Sequence, residues 1–306
     1  MNHSTALIPR LKAVELLLQD DRRGGYTPQK TGRPLPGVGK LKQIIDWAEK
    51  IIFPGYFAEW TLPSDHRQCA TGASLETLHV LLNEQIANGL YHFSEPDADK
   101  TADDASELAL AFVERIPEIR RLLYTDVEAI FDNDPAARSA GEVIICYPSI
   151  RAMIHYRMAH ELLLLGIPVL PRIITELAHS DIGIDIHPGA RIGEYFSIDH
   201  GTGVVIGETC IIGNHVHLYQ GVTLGAKNFV LDEHGRPLNV PRHPIVEDNV
   251  VVYSNSTILG RITIGHDSII GGNVWLTRAV PPHSRILQRR ASSANFFHLF
   301  SHGEGI

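Results

Sequence analysis

From residue 186 to residue 222 a small apolar side chain returns at every sixth position: Ile186, Ile192, Ile198, Val204, Cys210, Val216 and Val222. A second comb runs two positions ahead, through Ile206, Ile212, Leu218 and Leu224. After a break the pattern resumes at Val246, Val252, Ile258, Ile264, Ile270 and Leu276, with Val250, Ile262 and Val274 in the partner comb. A period of six matches neither the 3.6-residue helix nor a long alternating strand; it is the mark of a parallel β-helix built from hexapeptide repeats. Each short strand sends an aliphatic residue inward. Glycine and small polar residues turn the corners, where a positive φ costs least. This pattern admits very few other folds.

Upstream of about residue 182 the period is helical. Residues 74–93 place apolar side chains at helical spacing behind Ser74 as N-cap. Residues 103–135 read as two helices divided near Pro117, with Asp103 or Asp104 as cap. Residues 149–166 form another, with Ser149 as cap and Gly166 as stop, and 171–180 a short last one. The expected fold is α+β: an all-helical N-terminal domain over 1–180, then a left-handed parallel β-helix over 181–282 with one long loop insertion at 226–244. Residues 283–306 form a C-terminal tail. Residues 20–40, rich in Gly, Pro and charge, read as a linker or mobile arm.

Net charge is -8, which argues against a general nucleic-acid binder. The three cysteines, Cys69, Cys146 and Cys210, are few and far apart, so no disulfide framework is implied and a reducing cytosol fits. No secretory leader and no stretch of membrane-span length is read in the sequence.

The repeat "DIHPGARIGEYFSIDHGTGVVIGET" is interrupted by Asp185, His187, Asp199 and His200. Asp185 and His200 are fifteen residues apart, which places them on successive coils, nearly above one another. A carboxylate there can orient an imidazole that then acts as general base toward a hydroxyl. Polar residues at coil corners are the competing account. A metal reading also stands: His187, His200, His215 and His217 cluster in sequence, and a trimeric β-helix can assemble three-histidine zinc sites. His215 and His217 flank inward Val216 and both point outward. Cys210 sits in the apolar comb and reads as core.

Several segments occur together in one order: "DPAARS", "HYRMAHEL", "DIHPGARIG", "DHGTGVVIGET", "GVTLGA", "RHP" and "VPPH". From about Asp134 to His283 the chain resembles the serine O-acetyltransferases, hexapeptide-repeat enzymes that open cysteine biosynthesis. The resemblance implies acetyl transfer from acetyl-CoA to L-serine, with no metal and with L-cysteine as feedback inhibitor. His200 matches the general base and Asp185 its orienting carboxylate. Asp134, Asp199, Arg242 and His243 match positions that hold the amino acid. Gly225, Ala226, Ser254 and Gly272 match stretches that bind the acetyl-CoA. The ending "SHGEGI" resembles tails whose last residue, here Ile306, inserts into O-acetylserine sulfhydrylase. A cytoplasmic homotrimer is implied, with pairing of two trimers left open by the long N-terminal region. Three other functions compete: another hexapeptide acyltransferase, a γ-class carbonic-anhydrase-like metalloenzyme, and an inactive scaffold. The chain also departs from the family: Tyr253 stands where a tiny residue is usual, and "GVTLGA" carries Gly-Ala for Gly-Gly.

Overall fold

The computed structural model describes residues 3–18, 30–57, 64–94 and 100–288. The helices are α1 (His3–Leu18), α2 (Val38–Ile52), α3 (Ser64–Phe93), α4 (Ala105–Asn133), α5 (Ala140–Cys146), α6 (Pro148–Leu164) and α7 (Leu170–Ile182). In α2 the buried residues Leu41, Ile44, Ile45, Ala48, Ile51 and Ile52 fall on one face, the stripe that drives a helix onto a core. No helix among the described residues is long and apolar enough to cross a membrane.

Four local expectations change. Ser74 lies inside α3, which begins at Ser64, rather than at a helix start. Residues 105–133 form one helix rather than two, with Pro117 inside it. Phe112, Ile116, Ile119 and Leu123 are buried on both sides of the proline, and that continuous apolar stripe outweighs one lost N–H bond. Asp104 does stand at the N-cap of α4, but its carboxylate turns back to accept Thr101 N–H, in a capping box that opens the preceding 3-10 turn at Thr101. Ser149 caps nothing; it is buried inside α6, which starts with Pro148 behind Tyr147, and a proline at the first position has no N–H to cap. The arm is also shorter than expected. Tyr91 O–H donates to Thr31 O at 2.5 Å, and Gly37 N–H donates to Gln85 Oε1 at 2.7 Å. Residues 30–37 are thus held along α3, while 19–29 lie outside the described residues.

The repeat closes into a three-faced β-helix. Face one stacks β1 (Asp185–Ile186), β4 (Val205–Ile206), β7 (Thr223–Gly225), β10 (Thr257–Leu259) and β13 (Trp275–Leu276). Face two stacks β2 (Arg191–Ile192), β5 (Ile211–Ile212), β8 (Ile245–Val246) and β11 (Thr263–Ile264). Face three stacks β3 (Ser197–Asp199), β6 (His217–Tyr219), β9 (Val251–Val252), β12 (Ile269–Ile270) and β14 (Arg285–Ile286). All pairings are parallel, and Val205↔Thr223 and Thr257↔Trp275 show the 18-residue coil of three hexads. Both combs point inward and are buried, apart from Ile192, Ile262 and Leu276, which are partly buried against the same core. Corners use left-handed residues, and outside glycine these are mostly Asn, Asp and His: His200, His215, Asn249, Asn255, Asp267, Asn273 and His283. The insertion leaves between β7 and β8, where a short hairpin pairs Leu231 with Pro237.

The first coil has no coil beneath it, so its backbone edge needs other partners. The helices supply them. Tyr156 O–H donates to Ala190 O at 2.7 Å, Arg157 Nη2 donates to Gly193 O at 2.9 Å, and His160 Nδ1 donates to Pro188 O at 2.7 Å. In the other direction Tyr195 N–H reaches Thr125 Oγ1 at 3.1 Å and Phe196 N–H reaches Asp126 Oδ1 at 3.3 Å. Arg157 and Asp126 are buried and joined by two hydrogen bonds of 2.7 Å. Asp126→Ala leaves Arg157 buried without its anion, a cost of about 3–5 kcal/mol. The expected result is a markedly lower thermal midpoint by calorimetry, with the helices and β-helix losing structure together.

Candidate active site

Most of the residues singled out in the sequence fall at two corners of the β-helix. At the corner between faces three and one stand Asp199, His200, Ser254 and Gly272. At the corner between faces one and two stand His187, Gly225, Ala226, Arg242 and His243. Asp185 lies on face one between them.

The first group is built around His200, whose backbone is left-handed at φ 57 and whose side chain is 72 % exposed. Its Nε2 lies 3.8 Å from Asp199 Oδ2. Asp134, beyond the end of α4, joins from the helical side. Its Oδ1 accepts Ala136 N–H at 2.8 Å and its Oδ2 accepts Tyr147 O–H at 2.5 Å. The Tyr147 bond, the Ala136 N–H and the nearby His200 charge hold the Asp134 carboxyl below its usual range, and the same bond pushes the Tyr147 phenol up to about 12. Tyr147 was not legible in the sequence as a site residue, since no motif marks it.

Asp185 does not stack on His200. It pairs with Val205, because the first coil step is 20 residues and not 18. The two extra residues swell the corner that follows His200, where Gly203 N–H donates to Gly183 O at 2.8 Å and a Cβ on Gly201 would strike Ile184. His200 and Asp185 therefore flank one corner without a hydrogen bond between them. The Asp185 carboxylate lies instead within 4.8 Å of the ligand atoms of Glu176 and His179 on α7.

The second group explains two motifs at once. Arg242 and His243 end the insertion, and "GET" (207–209) receives them. Arg242 Nη2 meets Glu208 Oε2 at 2.6 Å, and Thr209 Oγ1 accepts the N–H groups of Arg242 and His243 at 2.9 and 3.0 Å. The Thr209 hydroxyl then lies 2.9 Å from His243 Nδ1, which also accepts Thr209 N–H at 3.1 Å. That ring is therefore neutral, with its proton on Nε2. Burial and the Arg242 charge lower its pKa to about 4. The ring rests on Gly207, where a Cβ would lie 2.0 Å from His243 Cδ2. Beside this corner opens a depression of about 440 Å³ whose lining includes Glu208, Asn239 and Arg261.

The histidines of the metal reading do not converge within one chain. His187 Nδ1 accepts Gly189 N–H at the one-to-two corner, and His215 stacks on Tyr195 at 4.4 Å on the opposite corner. His217 is buried on face three, 2.6 Å from Ser197 Oγ, rather than solvated. Cys210 is core, its thiol pushed up to about 12 by burial. Gly272 lies against Ser254, where a Cβ would stand 3.3 Å from Ser254 O, so this corner presents bare backbone. Ile306 lies outside the described residues.

A solenoid of hexapeptide coils with carboxylate, histidine and arginine side chains at its corners fits a transferase of this repeat class. The family model "Bacterial transferase hexapeptide (six repeats)" matches residues 243–278. A serine acetyltransferase, plasmid, of Synechococcus elongatus is 48% identical over 270 residues, covering 86% of this chain and 85% of its own length. That of Bacillus subtilis is 43% identical over 167 residues, 55% of this chain and 73% of its own. The crystal structure of Entamoeba histolytica serine acetyltransferase isoform 3 in complex with cysteine matches with a TM-score of 0.70 at 30% identity, covering 95% of this chain and 96% of that one. The chain belongs to the serine acetyltransferase family.

The low pKa of His243 has a measurable consequence. Its neutral form is favoured by folding, so the stability it contributes is complete above the ordinary value near 6.5 and is lost as pH falls toward 4. By nuclear magnetic resonance His243 should titrate near pH 4 in the native chain. In Gly207→Ala the new methyl displaces the ring and the midpoint should move up toward 6.5.

Proposed function

We propose that the chain transfers the acetyl group of acetyl-CoA to the hydroxyl of L-serine, giving O-acetylserine and CoA, and that L-cysteine inhibits by occupying the serine site. The observation that carries this reading is the division of the site into two preformed halves on a chain of this family. One half carries a solvent-open imidazole beside two carboxylates. The other carries an arginine clamped by Glu208. A serine zwitterion needs both: carboxylates for its ammonium group, a guanidinium for its carboxylate, and a base for its hydroxyl.

The two halves sit at different corners of one triangular post. A trimer that sets one chain's three-to-one corner against its neighbour's one-to-two corner brings them together. It also brings Ser254 and Gly272 opposite Gly225 and Ala226, which are proposed to line the groove for the acetyl donor. His200 takes the proton from the serine hydroxyl as the oxygen attacks the thioester carbon. Asp185, on the strand beside the same corner, steadies the imidazolium. The carbon–sulfur bond then breaks, and His200 returns the proton to the leaving thiolate. Asp134, Asp199, Arg242 and His243 hold the amino acid, and Tyr147 fixes Asp134. The segment ending in Ile306 is proposed to dock into O-acetylserine sulfhydrylase, and the reducing cytoplasm is the proposed compartment.

The test is thiol release from acetyl-CoA with L-serine, homoserine, O-phosphoserine or a galactoside, with and without L-cysteine. Serine-dependent release that cysteine blocks is expected. Release with another acceptor only would overturn the substrate assignment. His200→Ala should lower kcat by about 100-fold or more while the chain stays folded. Deleting Ile306 should abolish sulfhydrylase binding and spare acetyl transfer, as read by co-sedimentation and the same assay.

A further inference from the structure

We propose that His266, Asp267 and His283 form a binding site for a divalent transition-metal ion of the zinc class, which ties the last two coils of the β-helix together. The site lies at the corner between faces two and three, and the acetyl-transfer reading uses none of these residues.

His266 and Asp267 follow β11, and His283 occupies the same corner one coil later. His283 N–H donates to His266 O at 2.8 Å, so the two coils are in direct contact there. Asp267 Oδ2 lies 2.7 Å from His266 Nδ1 and 3.6 Å from His283 Nδ1. The three ligand atoms all fall within 4.8 Å of one another. In a tetrahedral zinc site, bonds of about 2.0–2.1 Å set the ligand atoms about 3.3 Å apart. These two separations bracket that value, so slight ring rotations complete the triangle.

The surroundings hold these atoms in place. Asn249 Nδ2 donates to Asp267 Oδ1 at 3.1 Å, which leaves Oδ2 turned toward both imidazoles. His266 N–H donates to Glu247 Oε2 at 2.8 Å. Asp267 and His283 have left-handed backbones, at φ 55 and 57, set by the corner itself. The two rings meet edge to face with centroids 4.8 Å apart.

Two imidazoles and one carboxylate suit zinc, cobalt or nickel. Magnesium and calcium favour sites made wholly of oxygen. Three protein ligands leave a fourth position for water. On binding, the proton shared between His266 and Asp267 goes to solvent and both Nδ1 lone pairs bind the ion. The mechanical consequence follows from position. Among the described residues β14 pairs on one side only, with β12, and an end coil is where a solenoid frays. A bridge from His283 to His266 and Asp267 closes it.

The test is calorimetric titration of the chelator-treated full chain with zinc chloride, beside Asp267→Asn and the double variant His266→Ala, His283→Ala. Asparagine keeps the left-handed corner and the fold. The native chain should bind one zinc ion more than the double variant and show a zinc-dependent rise in thermal midpoint. Asp267→Asn should weaken that binding at least 10-fold. Zinc held elsewhere, including by Glu176, His179 and Asp185, is common to all three proteins and cancels. Equal stoichiometry and affinity in all three would overturn the site, as would the absence of binding by the native chain at millimolar zinc. Circular dichroism checks the fold of each variant, and Asp267→Asn decides alone if the double variant unfolds.

Discussion

The structure rests on how the open edge of the first coil is closed. A stack of parallel strands exposes unpaired backbone groups at each end, and a buried end without partners is untenable. Here α6 and α4 meet that edge with Tyr156, Arg157, His160, Thr125 and Asp126. The motif "HYRMAHEL" is thus a set of donors, and "HPGARIG" supplies the carbonyls they reach. The Arg157–Asp126 pair sits in the middle, and its burial makes the join costly to break. The helical layer is for this reason the base on which the β-helix is built, and it delivers Asp134 and Tyr147 to the corner that holds His200.

The coil then acts as a ruler. Strand pairing fixes each corner to its neighbours at the coil repeat, so a residue's place along the post follows from its number. Two irregularities shape the corners where the proposed site residues stand. The longer first step opens the corner after His200. The insertion returns to the post at Arg242 and His243, where Glu208 and Thr209 bind both residues through side chain and backbone. "IGET" and "RHP", far apart in sequence, are one structural unit, and Gly207 is glycine because an imidazole lies on it.

The histidines show how one residue type is divided among roles by position. His200, His215 and His283 occupy left-handed corners, a conformation histidine tolerates better than most side chains. His160 is a donor to a carbonyl, His217 is buried beside Ser197, and His243 is held neutral by a threonine. His200 combines a left-handed corner, an exposed ring and a carboxylate at 3.8 Å.

The sequence by itself determined the β-helix, the insertion and most of the residues that stand at the two corners, although the last coil runs past residue 282 to β14 and takes in the start of the expected tail. Those follow from the six-residue period, which is a direct imprint of inward-facing side chains on a regular coil. It also carried the helical half in outline, although the continuous apolar stripe through Pro117 was stronger than the proline. Tertiary structure alone decided the rest. The partner of Asp185 depends on a two-residue change in coil length, and the role of Tyr147 depends on where α5 ends. The neutrality of His243 depends on a threonine 34 residues away. The metal triangle depends on two successive corners coming into contact. Each is a distance between residues remote in the chain, and periodicity records which way a side chain points without recording what it meets.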